Sequence, residues 1–127
     1  MNESRVLLQP VDRLLQTVAG TGSILIVPHN DPDPDAIASA IGLRYLFAQR
    51  LGLETPVVYA GFIGRAENKA MVRYLGRPLR QLAAADLRER THVALVDTQP
   101  GAGNNPLPAG RIPTIVVDHH SWREETR

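Results

Sequence analysis

The chain has 127 residues, enough for one compact domain and too few for two ordinary ones. With 43% hydrophobic and 21% charged residues it reads as a folded globular chain and not a disordered one. A net charge of +1 argues against a broad basic face for nucleic acid or an anionic membrane, and the lack of cysteine excludes disulfides and thiolate metal sites, which suits a reducing cytoplasm. Residues 1–5 lead into an amphipathic stretch and not an apolar signal region, and no apolar run is long enough to span a bilayer.

Leu7, Val11, Leu14, Leu15 and Val18 have helical spacing over residues 6–19, with Pro10 tolerable only near the helix start, and Gly20-Thr21-Gly22 ends it. Ile24-Leu25-Ile26-Val27 is a short, continuous, β-branched run, the pattern of a strand buried on both faces. A loop follows at residues 29–35, because Pro28, Pro32 and Pro34 push their preceding residues out of helical conformation. The next helix is expected from about Ala36 to Arg50, capped by Asp35 and stopped at Gly52. Val57 to Ala60 is a second strand, 66–75 a helix, and 83–90 a weaker helical stretch. Val93 to Val96 is a third buried strand, ending at Asp97. A turn-rich loop over 98–111 leads to a fourth strand, Thr114 to Val117, ending at Asp118-His119-His120. Alternating strands and helices predict an α/β fold with a mostly parallel, Rossmann-like sheet flanked by helices. The last crossover lacks a convincing helix, so the relation of its two strands stays open.

Polar residues gather just past strand ends: His29, Asp33 and Asp35 after the first, Asp97 after the third, and Asp118, His119 and His120 after the fourth. In an open parallel sheet these ends share one edge, where ligands bind. Carboxylates and imidazoles without thiols suit Mn²⁺ or Mg²⁺. Two divalent ions about 3.5–4 Å apart require a bridging ligand, and Asp97, alone at its strand end, is the natural one.

Each cluster also has a blander reading. Asp31-x-Asp33-x-Asp35 resembles a calcium loop only superficially, since an EF-hand wants glycine at position 36 and glutamate at position 42 where this chain has Ala36 and Gly42. The same loop read alone is a proline-stiffened turn with a helix cap, and Asp31 a solvated turn residue. Asp97 alone is a turn residue, and His119 and His120 alone are surface histidines. The coincidence of three clusters at one edge favours a site. His92 lies at the opposite end of the sheet and reads as structural. Trp122 reads as a chain-end hydrophobic contact before a base-stacking residue. Arg65 opens a helix, with substrate contact as its lesser reading, and Arg123 is near enough to the histidine pair to meet a phosphate.

His29-x-x-x-Asp33-x-Asp35, the Asp97 of Val93-Ala94-Leu95-Val96-Asp97-Thr98, and Asp118-His119-His120 resemble, in order and spacing, the first three motifs of the DHH phosphoesterase superfamily. The resemblance covers essentially the whole chain and points to the RecJ-like branch with its oligoribonuclease/phosphoadenosine-phosphate phosphatase (NrnA-type) proteins. It implies that His29 and Asp33 hold one Mn²⁺, Asp35 and His119 the second, and Asp97 bridges them. It further implies that His120 meets the phosphate, that Asp118 orients its neighbours, and that a metal-bound hydroxide attacks phosphorus in short oligonucleotides or nucleotide phosphates.

The family pattern has a further aspartate in a fourth motif and a glycine-rich substrate domain; this chain ends seven residues after His120 and has neither. Residues 1–127 are therefore expected to be the N-terminal part of a DHH domain, with a weakened second metal. Three other readings remain: a truncated, non-catalytic metal- or nucleotide-binding module, a manganese pyrophosphatase, and a cyclic-dinucleotide phosphodiesterase.

Overall fold

The computed structural model describes residues 10–63, 73, 79–88 and 91–124. Within them α1 spans Pro10–Ala19, β1 Leu25–Pro28, α2 Pro34–Leu51, β2 Val57–Tyr59, β3 Leu79–Gln81, β4 Val93–Val96 and β5 Ile115–Val117. A 3₁₀ turn covers Ala84–Leu87, in place of the longer helical stretch expected over 83–90. The helix expected over 66–75 lies, but for Arg73, outside the described residues, as do Leu7 and Arg65.

The five strands form one sheet in the order β3-β2-β1-β4-β5, and every pairing is parallel. The irregular 98–111 connection therefore joins parallel neighbours, the alternative that spacing alone left open. Both faces are covered. Leu15, Val18, Ile37, Ala40, Leu43 and Phe47 from the two helices pack on the sheet face that carries Ile26, Val57, Ala94 and Val96. The opposite face carries Leu25, Val27, Val58, Val93 and Leu95, closed by Leu82, Leu87 and Leu107. Burial on both sides is why these strands read as continuous apolar runs without alternation. Val11 departs from the expected apolar stripe and is largely exposed.

The β3 strand has no counterpart among the predicted elements. It is a three-residue edge strand in which only Leu79 is buried, so it carries neither an apolar run nor a period of two. Its pairing with β2 and a bidentate Arg80–Asp86 ion pair, 2.8 Å at each contact, hold it in place. That guanidinium, aided by the Ala83 N–H, holds the Asp86 carboxyl down to about 2.

The helix α2 starts two residues earlier than expected, and its cap is Asp33 and not Asp35. Asp33 has extended backbone, and its carboxylate accepts the Ala36 N–H at 2.9 Å. Pro34 permits the earlier start, because the first helical position needs no N–H. At the other end Gly52 has φ 65°, with Gly52 N–H donating to Ala48 O and Leu53 N–H to Phe47 O, a left-handed glycine stop.

The strand order sets the position of the site. From β1 the chain moves through α2 to β2 and β3 on one side, then returns to β4 on the other. The order therefore reverses between β1 and β4. Chain segments leave these two adjacent strands in opposite directions, opening a crevice beyond their C-terminal ends.

Candidate metal centre

His29 leaves β1 directly into that crevice. Its Nδ1 lies 2.7 Å from the Asn30 carbonyl oxygen. A carbonyl only accepts, so Nδ1 carries the proton and Nε2 keeps a lone pair for a cation. The loop is moored on both sides: Asn30 N–H donates to Asn104 O after β4, and Asp31 N–H to Ala60 O after β2.

Asp31 is exposed in its turn, as expected, but it also makes a long-range contact. Its backbone is left-handed at φ 51°, and its carboxylate accepts the Phe62 N–H at 2.6 Å. The contact depends on Gly61, whose φ is 85° and where a Cβ would stand 2.0 Å from Asp31 Oδ1. Gly61→Ala is therefore expected to cost about 1–3 kcal/mol, from left-handed strain plus the displaced carboxylate. Urea denaturation checks this; an unchanged midpoint would mean that the two loops are not clasped in solution.

Asp97 stands beside His29, across the same crevice. Its φ of 60° is an uncommon backbone state for a residue with a side chain, though aspartate adopts it more readily than most. The state is fixed by Asp97 N–H donating to Val117 O at 2.8 Å. Left-handed residues held this way concentrate at functional sites. The carboxylate faces two histidines at once: Oδ2 is 3.6 Å from His29 Nε2, and Oδ1 is 3.0 Å from His119 Nε2. Asp33 Oδ2 is 3.7 Å from the same His29 nitrogen, so Asp33 caps α2 with one oxygen and faces the site with the other.

These contacts are not good hydrogen bonds. Asp97 Oδ1 is buried and has no aligned partner, a costly state for a carboxylate oxygen unless something else satisfies it. Among the described residues, His29, Asp33 and Asp97 form one group of metal-competent atoms and Asp97, Asp118, His119 and His120 another, with Asp97 common to both. The donor set is oxygen and imidazole nitrogen without thiolate, a set that suits divalent metal ions. The residues present thus fit a pair of divalent ions sharing Asp97. Asp35, exposed in the first turn of α2, belongs to neither group.

Residues 23–127 match the DHH family, N-terminal domain. The chain belongs to the DHH family. It is also 41% identical over 100 residues to uncharacterized protein MJ1633 of Methanocaldococcus jannaschii, a match covering 77% of this chain and 20% of that relative. The chain thus spans about a fifth of the length of the curated relative it matches.

The DHH triplet is held by a polar network that sequence reasoning missed. Gln99 is only 2% exposed, and its Nε2 donates to Asp118 Oδ2 at 2.7 Å and to Ser121 O at 3.0 Å. Its Oε1 accepts the Arg123 N–H at 2.8 Å. Asp118 Oδ1 meets His120 Nδ1 at 2.6 Å. Burial pushes the Asp118 carboxyl up, but the bonds from Gln99 and His120 outweigh it and leave its pKa below the ordinary carboxylate value. Asn105 braces the loop below, donating to Thr98 Oγ1 and to Gln99 O.

A cleft of about 340 Å³ opens beside the DHH triplet, bordered by Asp97, Gln99, Asn104, His120, Ser121 and Arg123. His92 lies at the far end of the sheet, with Nδ1 3.1 Å from Thr114 Oγ1, consistent with its structural reading. Trp122 is half exposed and not packed away. Among the described residues no helix is long and apolar enough to cross a membrane.

Proposed function

We propose that this chain is the N-terminal part of a divalent-metal-dependent phosphoesterase of the RecJ-like DHH branch, acting on phosphodiester or phosphomonoester bonds of short oligonucleotides or nucleotides. The observation that carries the reading is Asp97: one carboxylate, at the reversal point of the sheet, with each oxygen turned toward a different histidine. A pair of divalent ions held there, Mn²⁺ or alternatively Mg²⁺, would supply Lewis acidity and a nucleophilic water near neutral pH.

On this reading His29 and Asp33 would hold one ion, His119 the other, and Asp97 both; Asp35, outside both groups of metal-competent atoms, would join the second ion only on the strength of the family pattern. His120 presents its Nε2 to the phosphate, because Asp118 occupies its Nδ1. Arg123, and Arg65 by its place in the sequence, would add positive charge for phosphate oxygens. The exposure of His119, at 79% of its side chain, favours a second reading in which the 127 residues bind metal or nucleotide without turnover.

The test is hydrolysis of a dinucleotide, a nucleoside bisphosphate, pyrophosphate and a cyclic dinucleotide by the chain with Mn²⁺, with Mg²⁺ and with EDTA. Metal-dependent hydrolysis of the first two is expected, reduced about 100-fold or more in Asp97→Asn. Hydrolysis that persists in EDTA or in Asp97→Asn would overturn the reading. Mn²⁺ binding without turnover would select the non-catalytic module, and preference for pyrophosphate or the cyclic dinucleotide would move the chain to another DHH activity.

A further inference from the structure

We propose that Gln99 is a positioning residue for the metal centre, a buried amide that sets the DHH triplet against Asp97. The inference rests on the metal reading above and adds a residue from outside the carboxylate and imidazole set.

Four contacts in series connect Gln99 to the bridging carboxylate. Gln99 Nε2 holds Asp118 Oδ2 at 2.7 Å. Asp118 Oδ1 holds His120 Nδ1 at 2.6 Å. The His120 ring lies against the His119 ring, centroids 4.2 Å apart and tilted by 34°. His119 Nε2 then reaches Asp97 Oδ1 at 3.0 Å. Gln99 is two residues from Asp97 in the chain, so the same loop that carries the bridge also clamps the triplet that faces it.

The amide is the group this position needs. One end must donate to a carboxylate and to the Ser121 carbonyl; the other must accept from the Arg123 N–H. A primary amide has two donors on nitrogen and an acceptor oxygen, which matches carboxylate and carbonyl oxygens at one end and an N–H at the other. Glutamate keeps the shape but sets a second carboxylate against Asp118. Methionine keeps most of the volume and supplies no donor. The Asp118 side chain is only 1% exposed, so without the amide its Oδ2 loses a donor that water cannot readily replace, and Asp118 and the ring it aims are freer to shift.

The experiment compares wild type, Gln99→Met and Gln99→Glu. Mn²⁺ affinity is measured by calorimetry, the fold by melting in EDTA, and the His120 tautomer by long-range ¹H–¹⁵N correlation at alkaline pH, where imidazoles are neutral. Wild-type His120 is expected to be protonated at Nδ1. Both variants are expected to lose that preference, and Gln99→Met to bind Mn²⁺ about 10-fold or more weakly than wild type. Weaker binding with an unchanged tautomer in the two variants would overturn the proposal, as would unchanged affinity in a folded Gln99→Met. Should Gln99→Met fail to melt cooperatively, the tautomer in Gln99→Glu decides. A wild type that binds no Mn²⁺ would overturn the metal reading instead, and the tautomer comparison would still decide whether Gln99 aims His120.

Discussion

Excess Mn²⁺ is expected to raise the melting temperature of the wild-type chain by on the order of 10 °C, and Asp97→Asn to abolish that rise. A ligand at about 100 times its Kd stabilises the folded state by about 2.7 kcal/mol, and for a domain of this size each kcal/mol shifts the midpoint by a few degrees. Asp97 is the one side chain common to both groups of metal-competent atoms, so its loss should remove most of the effect. Asparagine is the informative replacement. It tolerates the left-handed backbone at φ 60° nearly as well as aspartate. Asp97→Asn should therefore melt in EDTA at or above the wild-type temperature, having lost a buried carboxylate oxygen without an aligned partner. Alanine at that φ adds a backbone penalty of about 1–2 kcal/mol, which asparagine avoids. If Asp97→Asn kept the full Mn²⁺ shift, the bridging role of this carboxylate would be wrong.

The largest loss of stability is expected from Phe47→Ala, about 3–5 kcal/mol, a large part of the roughly 5–15 kcal/mol that holds a domain folded. Phe47 is fully buried and continues the stripe of Ile37, Ala40 and Leu43 along α2. That stripe is the main apolar cover on its face of the sheet, packing over β1, β2 and β4, and the same helix begins at Asp33 in the site. A cavity there should loosen α2 against the strands and weaken Mn²⁺ binding along with the fold. Denaturant unfolding gives the measurement, and a loss below about 1 kcal/mol would mean that the face is not packed as described.

The strands that carry the chemistry were readable because β1, β4 and β5 hold short apolar runs that end abruptly in histidine or aspartate. The strand-end rule then placed His29, Asp97 and the DHH triplet on one edge before any distance was known. What escaped the sequence depends on tertiary partners. Leu79-Arg80-Gln81 is a strand only because β2 pairs with it. Asp33 and Asp35 are chemically equivalent candidates for a cap, and the choice turned on Pro34 entering the helix. Asp31 reads as a turn residue until the loop after β2, thirty-one positions away, supplies an N–H. Gln99 carries no periodic signal, and a glutamine amid glycine, proline and asparagine reads as exposed loop. Its sequence clue was position, two residues after Asp97.

Anomalous X-ray scattering from Mn²⁺-loaded crystals would show whether the three strand ends build a divalent-metal site around Asp97. The structure predicts an anomalous peak within bonding distance of the Asp97 carboxylate and His29 Nε2, with a second, where present, on the His119 side of the same carboxylate. A fully loaded crystal with its peaks elsewhere on the chain, and none at Asp97, would contradict it.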